Sequence, residues 1–317
     1  MNLYVRLLPI LLILPMAKAQ TVEKAFKSEY FYILVIDGPR YSETYGDSSC
    51  TQIPNLCKQL KPQGTFFENF SNNGKTLTVP GHTAIMTGVY QKISNIGAGL
   101  PKNPSLFQYY LKQRGKPSHD AQIIASKGKL NVLADSKNKT WQKETKPTSF
   151  CGPKGDVLRY GPDSETIKMV KDTVSSQHPP HLLLVNLLGV DTWGHGNNWN
   201  KYLENIRLTD RYALDLWNTI QSNPILKDKT TLFITNDHGR HLDGIEEGFK
   251  EHGDGCEGCR HISLLVLGPD IPKNQTLKNA AEMIDIPSTI AHMMHVDFPT
   301  GKGRFLSELF GALENNK

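Results

Sequence analysis

Short, unbroken apolar runs recur along the chain, at residues 30–36 (YFYILVI), 122–125, 181–188 (HLLLVNLL), 231–235 (TLFIT) and 262–267. They do not alternate apolar with polar, so each reads as a strand buried on both faces. Between them lie stretches with helical periodicity, at residues 54–60, 81–87, 105–113, 200–222 and 285–294. Strands alternating with helices predict an α/β fold, a mostly parallel, doubly wound central sheet with helices on both faces. The polar segment 137–163, rich in Lys, Gly and Pro, reads as an excursion from that sheet and not as a domain boundary.

The N-terminus breaks the pattern. Residues 7–14 are apolar, Arg6 precedes them and Ala17-Lys18-Ala19 follows, the arrangement of a secretory signal cleaved near Ala19. The run is too short to cross a bilayer, which takes about 20 residues. The expectation is an exported protein, periplasmic or secreted, in which residues 20–317 form a single domain, unless an uncleaved signal tethers it. The 317 residues carry a formal charge of +5, which falls to +3 without Arg6 and Lys18. That is too small to point to a nucleic-acid duplex as partner.

Five cysteines remain outside the signal, Cys50, Cys57, Cys151, Cys256 and Cys259. In an oxidising compartment Cys50 with Cys57, and Cys256 with Cys259, are the economical disulfides, leaving Cys151 alone. Cys256-x-x-Cys259 also suits a metal, but zinc needs a second pair of ligands and no second cysteine pair stands at a suitable spacing.

The chemistry gathers at the ends of the apolar runs. Asp37-Gly38 follows the first, Asp191 and His195 follow HLLLVNLL, and Asp237-His238-Gly239 follows TLFIT; His252 lies just upstream of the last. Ligand sites of open α/β sheets lie at the carboxyl ends of strands, so these residues are expected to converge. Any one aspartate after a strand is an ordinary turn former or helix cap. Three aspartates and three histidines exceed what one divalent ion needs and suffice for two, an arrangement that stabilises both the attacking and the leaving oxygen of a displacement at phosphorus.

In order, Asp37-Gly38, Thr78-x-Pro-x-His82, Asp191-x-x-Gly-His195, Asp237-His238-Gly239 and His252 resemble the alkaline phosphatase superfamily. More narrowly they resemble its threonine-nucleophile branch: nucleotide pyrophosphatase/phosphodiesterases, phosphonoacetate hydrolase and threonine-dependent alkaline phosphatases. The resemblance implies that Asp191, His195 and His252 hold one metal and that Asp37, Asp237 and His238 hold the other with the nucleophile, Thr78. His241 and His261 compete with His252 for its place. Two zinc ions suit these ligands, with manganese, magnesium or calcium as alternatives. A metal would favour the threonine alkoxide without an adjacent base, and an N-terminal position on a helix would favour a bound anion as well.

The segment IIASKGKLNVL resembles one in the same branch whose cations face the substrate's outer oxygens, which marks Lys127 and Lys129 as substrate-binding, with Gly128 where that pattern has an acid. Asn95 is expected to donate to the transferring group, with Asn72 and Asn73 as alternatives. Extra cations reward the nearly doubly charged monoester over a diester. The reading is therefore a secreted two-metal hydrolase of small phosphate esters, a phosphomonoesterase acting through phosphothreonine at Thr78, in an open cleft. The alternatives are a phosphodiesterase or nucleotide pyrophosphatase, a phosphonate hydrolase, and a non-enzymatic, metal-retaining binding protein. Sulfatase chemistry needs Cys or Ser in Cys/Ser-x-Pro-x-Arg, where this chain has Thr78 and His82.

Overall fold

Strand β1 (Tyr30–Ile36) is buried along its whole length because parallel strands flank it on both sides, β5 (Leu182–Leu187) and β6 (Thr230–Thr235). The structure, a computed structural model, describes residues 25–142 and 145–311; the segment read as a signal, residues 1–19, lies outside them. Beyond β5 come β3 (Ala121–Ala125) and β4 (Thr148–Cys151), both parallel. Beyond β6 come β7 (His261–Leu267), antiparallel, then β2 (Thr65–Ser71), which also pairs with β8 (Gln275–Leu277) and β9 (Ala281–Glu282). The order is β4-β3-β5-β1-β6-β7-β2-β8, and among the described residues β7 alone runs against the rest. The expected α/β sheet is present.

Alternate side chains of the central strands feed two cores. Phe31, Ile33, Val35, Leu184 and Phe233 face α1 (Thr78–Thr87), α2 (Leu106–Arg114) and α7 (Asp285–Met293). Tyr32, Leu34, Leu183, Val185 and Ile234 face α3 (Asp163–Val174) and α5 (Trp199–Ser222). Each such fully buried side chain is worth about 1.5–3 kcal/mol, which is why the strands carry no polar alternation.

Two expectations need correction, and one strand was not read at all. The segment 137–163 is no simple excursion, because it returns β4 to the sheet edge beside β3. Strand β2 has no clean apolar signature, since a register shift between Phe67 and Phe70 exposes Glu68 and Asn69. Cys50 and Cys57 are joined and Cys151 is a buried thiol, but Cys256 and Cys259 are separate thiols. The short helix α6 (Glu257–Arg260) brings both sulfurs into one cluster with His241 and Asp254, unbonded to each other.

Among the described residues no helix is long and apolar enough to cross a membrane.

Candidate active site

Strands β3, β5, β1 and β6 are neighbours and parallel, so the residues that follow them share one edge of the sheet. Asp37 follows β1, Asp237 and His238 follow β6, and Lys127 follows β3. After β5 the chain turns into α4 (Gly189–His195). The Asp163 carboxylate accepts from the N–H groups of Leu188 and Gly189, each at 2.8 Å, satisfying donors that a helix start leaves free. One helical turn then sets Asp191 and His195 on the same face.

Asp191 Oδ1 lies 3.3 Å from His195 Nε2 and 3.4 Å from His252 Nε2, and the two imidazole nitrogens lie 3.1 Å apart. His252 Nδ1–H donates to the Thr76 carbonyl at 2.7 Å, which points Nε2 at Asp191, the usual way a protein fixes the tautomer of a ligating histidine. Thr76 thus serves the site through its backbone. His261 instead faces the Glu68 carbonyl and stacks on Tyr41, and His241 lies beside Asp254; of the three candidates, His252 is the one brought to Asp191.

The second group is more deeply buried, with Asp37, Asp237 and His238 all fully enclosed. His238 Nε2 lies 3.5 Å from Asp37 Oδ1 and 3.5 Å from Asp237 Oδ2, while its Nδ1–H donates to the Gly239 carbonyl at 2.9 Å. Asp37 Oδ1, Asp237 Oδ2 and His238 Nε2 are all buried and none has a hydrogen-bond partner. Two buried carboxylate oxygens and an imidazole nitrogen facing one another without a hydrogen bond is a costly arrangement; against burial, the carboxylates favour a positive charge at His238, and a cation coordinated by all three, in place of a proton on Nε2, would resolve it. The donor set, carboxylate oxygen and neutral imidazole, fits a zinc-like divalent ion. The His238 ring stacks on His252 at 3.7 Å, so the two groups adjoin.

Thr78 is the first residue of α1, a helix buried along its whole length. The helix can sit this deep because Gly81 packs on the chain at Asp237; a Cβ there would stand 2.7 Å from the Asp237 carbonyl oxygen. Lys127 Nζ donates to Thr78 Oγ1 at 3.0 Å and lies 2.6 Å from Asp191 Oδ2 and 2.9 Å from Asp37 Oδ2. Leaving β3 beside β5, its side chain crosses the strand ends and reaches the hub of the carboxylates, deeper than a contact to outer substrate oxygens requires. Lys129 Nζ is 3.5 Å from Asn95 Oδ1, which accepts from Val79 N–H at 2.9 Å. Asn95 therefore caps α1 beside Thr78. Asn72 braces the Asp237 carbonyl and Asn73 turns to Glu282.

Burial, the largest single influence, would raise the Asp37 and Asp191 carboxyls, but Lys127 together with His238 at Asp37, and with His195, His252 and Arg240 at Asp191, overcomes it; both are held below the usual carboxylate range. Lys127 is likewise kept charged: burial opposes the ammonium, and Asp191, Asp37 and Asp237 overcome it. Burial and the neighbouring His238 push His252 down to about 4, so its imidazole is neutral and able to ligate.

Sequence reasoning missed three supporting residues. Asn186 donates to Asp37 Oδ2 at 3.0 Å and to His82 Nε2 at 3.1 Å, and His82 Nδ1–H in turn donates to the Thr78 carbonyl at 2.9 Å. Its signal was available, the lone polar residue inside HLLLVNLL. Asp163, which anchors α4, carries no mark in the sequence. Arg240 is completely buried; it donates to the Gly38 carbonyl, to the Asp191 carbonyl and carboxylate, and to the Phe249 and Lys250 carbonyls.

A family model described as Sulfatase matches residues 31–296. GPI ethanolamine phosphate transferase 1 of Emericella nidulans is 24% identical over 321 residues, covering 91% of this chain and 33% of that protein. The protein of the same name from Saccharomyces cerevisiae is 23% identical over 309 residues, covering 84% and 32%. The chain thus spans about a third of the length of these curated relatives. Murine ectonucleotide pyrophosphatase/phosphodiesterase 5 shares the fold with a TM-score of 0.65 at 15% identity, over 88% of this chain and 99% of that one. A mutant of alkaline phosphatase PafA does so at 0.63 and 14%, over 91% and 100%. Phosphonate monoester hydrolase of Agrobacterium radiobacter reaches 0.65 at 12%, over 89% and 77%.

Proposed function

From the premise that the chain belongs to the sulfatase family, within the alkaline phosphatase superfamily, we propose that it transfers a substituted phosphoryl group through a covalent intermediate on Thr78. The observation that carries the reading is the placement of Thr78 Oγ1 at the N-terminus of α1, against Lys127 and beside the unpartnered cluster of Asp37, Asp237 and His238. Asp191, His195 and His252 would hold a second ion. Divalent ions bound in these two groups would favour the deprotonated hydroxyl and offset charge on the attacking and leaving oxygens.

The chain's own residues supply the rest. Thr78 Oγ1 gives up its proton to solvent and attacks phosphorus; the bond to the leaving oxygen breaks, and the departing alcohol takes a proton from solvent. An acceptor hydroxyl or water then attacks phosphorus and the bond to Oγ1 breaks, restoring Thr78. Lys127 Nζ, within hydrogen-bond reach of Oγ1, offsets negative charge there, and the backbone N–H groups at the start of α1 favour the anion. Asn95 fixes that helix start. Threonine where sulfatase chemistry would need Cys or Ser keeps the reaction at phosphorus.

The names of the curated relatives bear on the donor. Moving ethanolamine phosphate onto an acceptor means that phosphorus carries an alkoxy substituent throughout, so the donor is a substituted phosphate, a phosphodiester or a phosphoanhydride, and not a monoester. Phosphomonoester hydrolysis is the second reading, favoured by Lys127, whose ammonium reaches Thr78 Oγ1, while Lys129 stands one step further out, against Asn95. Both readings take a small phosphorylated group; the apolar run at residues 7–14, preceded by Arg6, is what supports an exported setting for either.

The test compares p-nitrophenyl phosphoethanolamine with p-nitrophenyl phosphate, with intact-mass detection of a Thr78 adduct. A higher kcat/KM for the diester, with an ethanolamine-phosphate adduct lost in Thr78→Ala, supports transfer. A strong preference for the monoester moves the assignment to a phosphatase, and full activity in Thr78→Ala refutes the nucleophile.

A further inference from the structure

A second constellation of ligating side chains lies outside the catalytic groups. His241, Asp254, Cys256 and Cys259 each bring one ligand atom within 4.8 Å of the other three. The Cys-x-x-Cys pair spans the start of α6, with Cys256 as its N-cap and Cys259 its third residue. The other half comes from two separate segments, so no sequence spacing announces it. His241 is 5% exposed, and neither of its ring nitrogens makes a hydrogen bond, although Nε2 stands 3.2 Å from Asp254 Oδ1. A buried imidazole without partners, facing two thiols and a carboxylate, lacks the cation that would satisfy all four.

The geometry points to a structural metal site formed by His241, Asp254, Cys256 and Cys259, selective for a thiophilic divalent ion such as zinc. Two thiolates, an imidazole and a carboxylate are four ligands, the number that closes a tetrahedral zinc site and leaves no position for substrate. The two thiolates also set it apart in metal preference from the sulfur-free groups around Thr78. Binding would release the two thiol protons to solvent, because the thiolate is the ligand.

The position gives the site a task. Gly239 N–H donates to the Cys259 carbonyl at 2.8 Å and His241 N–H to the Glu251 carbonyl at 3.2 Å. The cluster therefore ties the chain that leaves β6, which carries Asp237 and His238, to the loop that carries His252. An ion here would clamp together elements bearing residues of both catalytic groups, without itself touching substrate.

Cobalt(II) supplies the test, because a thiolate bound to cobalt gives a ligand-to-metal charge-transfer band in the near ultraviolet and an all-Asp/His site gives none. The full chain, reduced at its free cysteines, stripped of metal and titrated with cobalt, is expected to develop the band. It should persist in Asp191→Asn and vanish in the Cys256→Ser/Cys259→Ser double variant, in which Cys151 remains. Zinc content after mild chelation should fall by about one per chain in that double variant. Absence of the band in wild-type protein whose free thiols have been titrated would overturn the proposal. So would peptide mapping that finds Cys256 disulfide-bonded to Cys259 in protein recovered from the exported fraction.

Discussion

Arg240 offers the sharpest check on how the site is held. Replacing it by Met keeps most of the side-chain volume and removes every donor. The Gly38 and Asp191 carbonyls, each accepting at 2.9 Å, lose a buried partner, as do the part-buried carbonyls of Phe249 and Lys250 at 3.1 and 2.8 Å. Asp191 also loses the guanidinium that pairs with its carboxylate. A buried acceptor left unpaired costs about 1–3 kcal/mol, and breaking a buried ion pair by removing one partner costs about 3–5 kcal/mol. Solvent can rehydrate the Phe249 side, and Lys127 still faces Asp191, so the net expectation is a loss of about 3–5 kcal/mol. That is a large fraction of the roughly 5–15 kcal/mol that holds a typical domain folded. Urea unfolding followed by circular dichroism at neutral pH measures it. Arg240→Lys, which keeps the charge without the planar fork, should fall between the two. Saturating zinc should shrink the penalty, because an ion at Asp191 compensates the same carboxylate. If Arg240→Met unfolds within about 1 kcal/mol of the parent, the account of Arg240 as the tie between β1, α4 and the loop at residues 249–250 is wrong.

Gly81→Ala would be mildly stabilising in an exposed helix, by up to about 1 kcal/mol. Here the new Cβ would stand 2.7 Å from the Asp237 carbonyl oxygen and 3.1 Å from Asp237 Cβ, so overpacking should reverse the sign and cost about 1–3 kcal/mol; a raised melting temperature would contradict it. Burial pushes the Cys151 thiol up to about 12, leaving about one part in ten thousand as reactive thiolate at mildly alkaline pH. Folded protein should therefore resist alkylation at Cys151 and react only after denaturation, and stoichiometric labelling of the native state, located by peptide mass, would count against the burial.

The central strands were legible because they are buried on both faces and so write unbroken apolar runs: 30–36 coincides with β1, and 231–235 falls one residue short of β6. Where burial is one-sided or the register slips, the text blurs. Glu68 and Asn69 interrupt β2, and β4 at the sheet edge has Phe150 half exposed, so neither strand announced itself. The ligands Asp37, Asp191, Asp237 and His238 were readable because the chain must turn where a parallel strand ends, and chemistry there sits in short punctuated motifs. Asn95 and Lys129 were named from the sequence, yet what each touches depends on the path of a loop. Arg240 and Asp163 act on backbone groups far away in sequence, and no local pattern encodes such a contact. The convergence of His241 with Cys256 and Cys259 was invisible for the same reason.

The strand order has a further consequence for how the protein comes into being. β1 is the first strand of the sheet, yet its two neighbours, β5 and β6, begin at Leu182 and Thr230. Asp37 therefore waits through the synthesis of some two hundred residues before Asp237 and His238 exist to face it. Closing such long loops before their contacts reward it makes folding slow, and no N-terminal fragment can assemble the Asp37, Asp237 and His238 group. Tight ion capture by that group should therefore appear only with the completed sheet, late in refolding and in step with the return of the native fold.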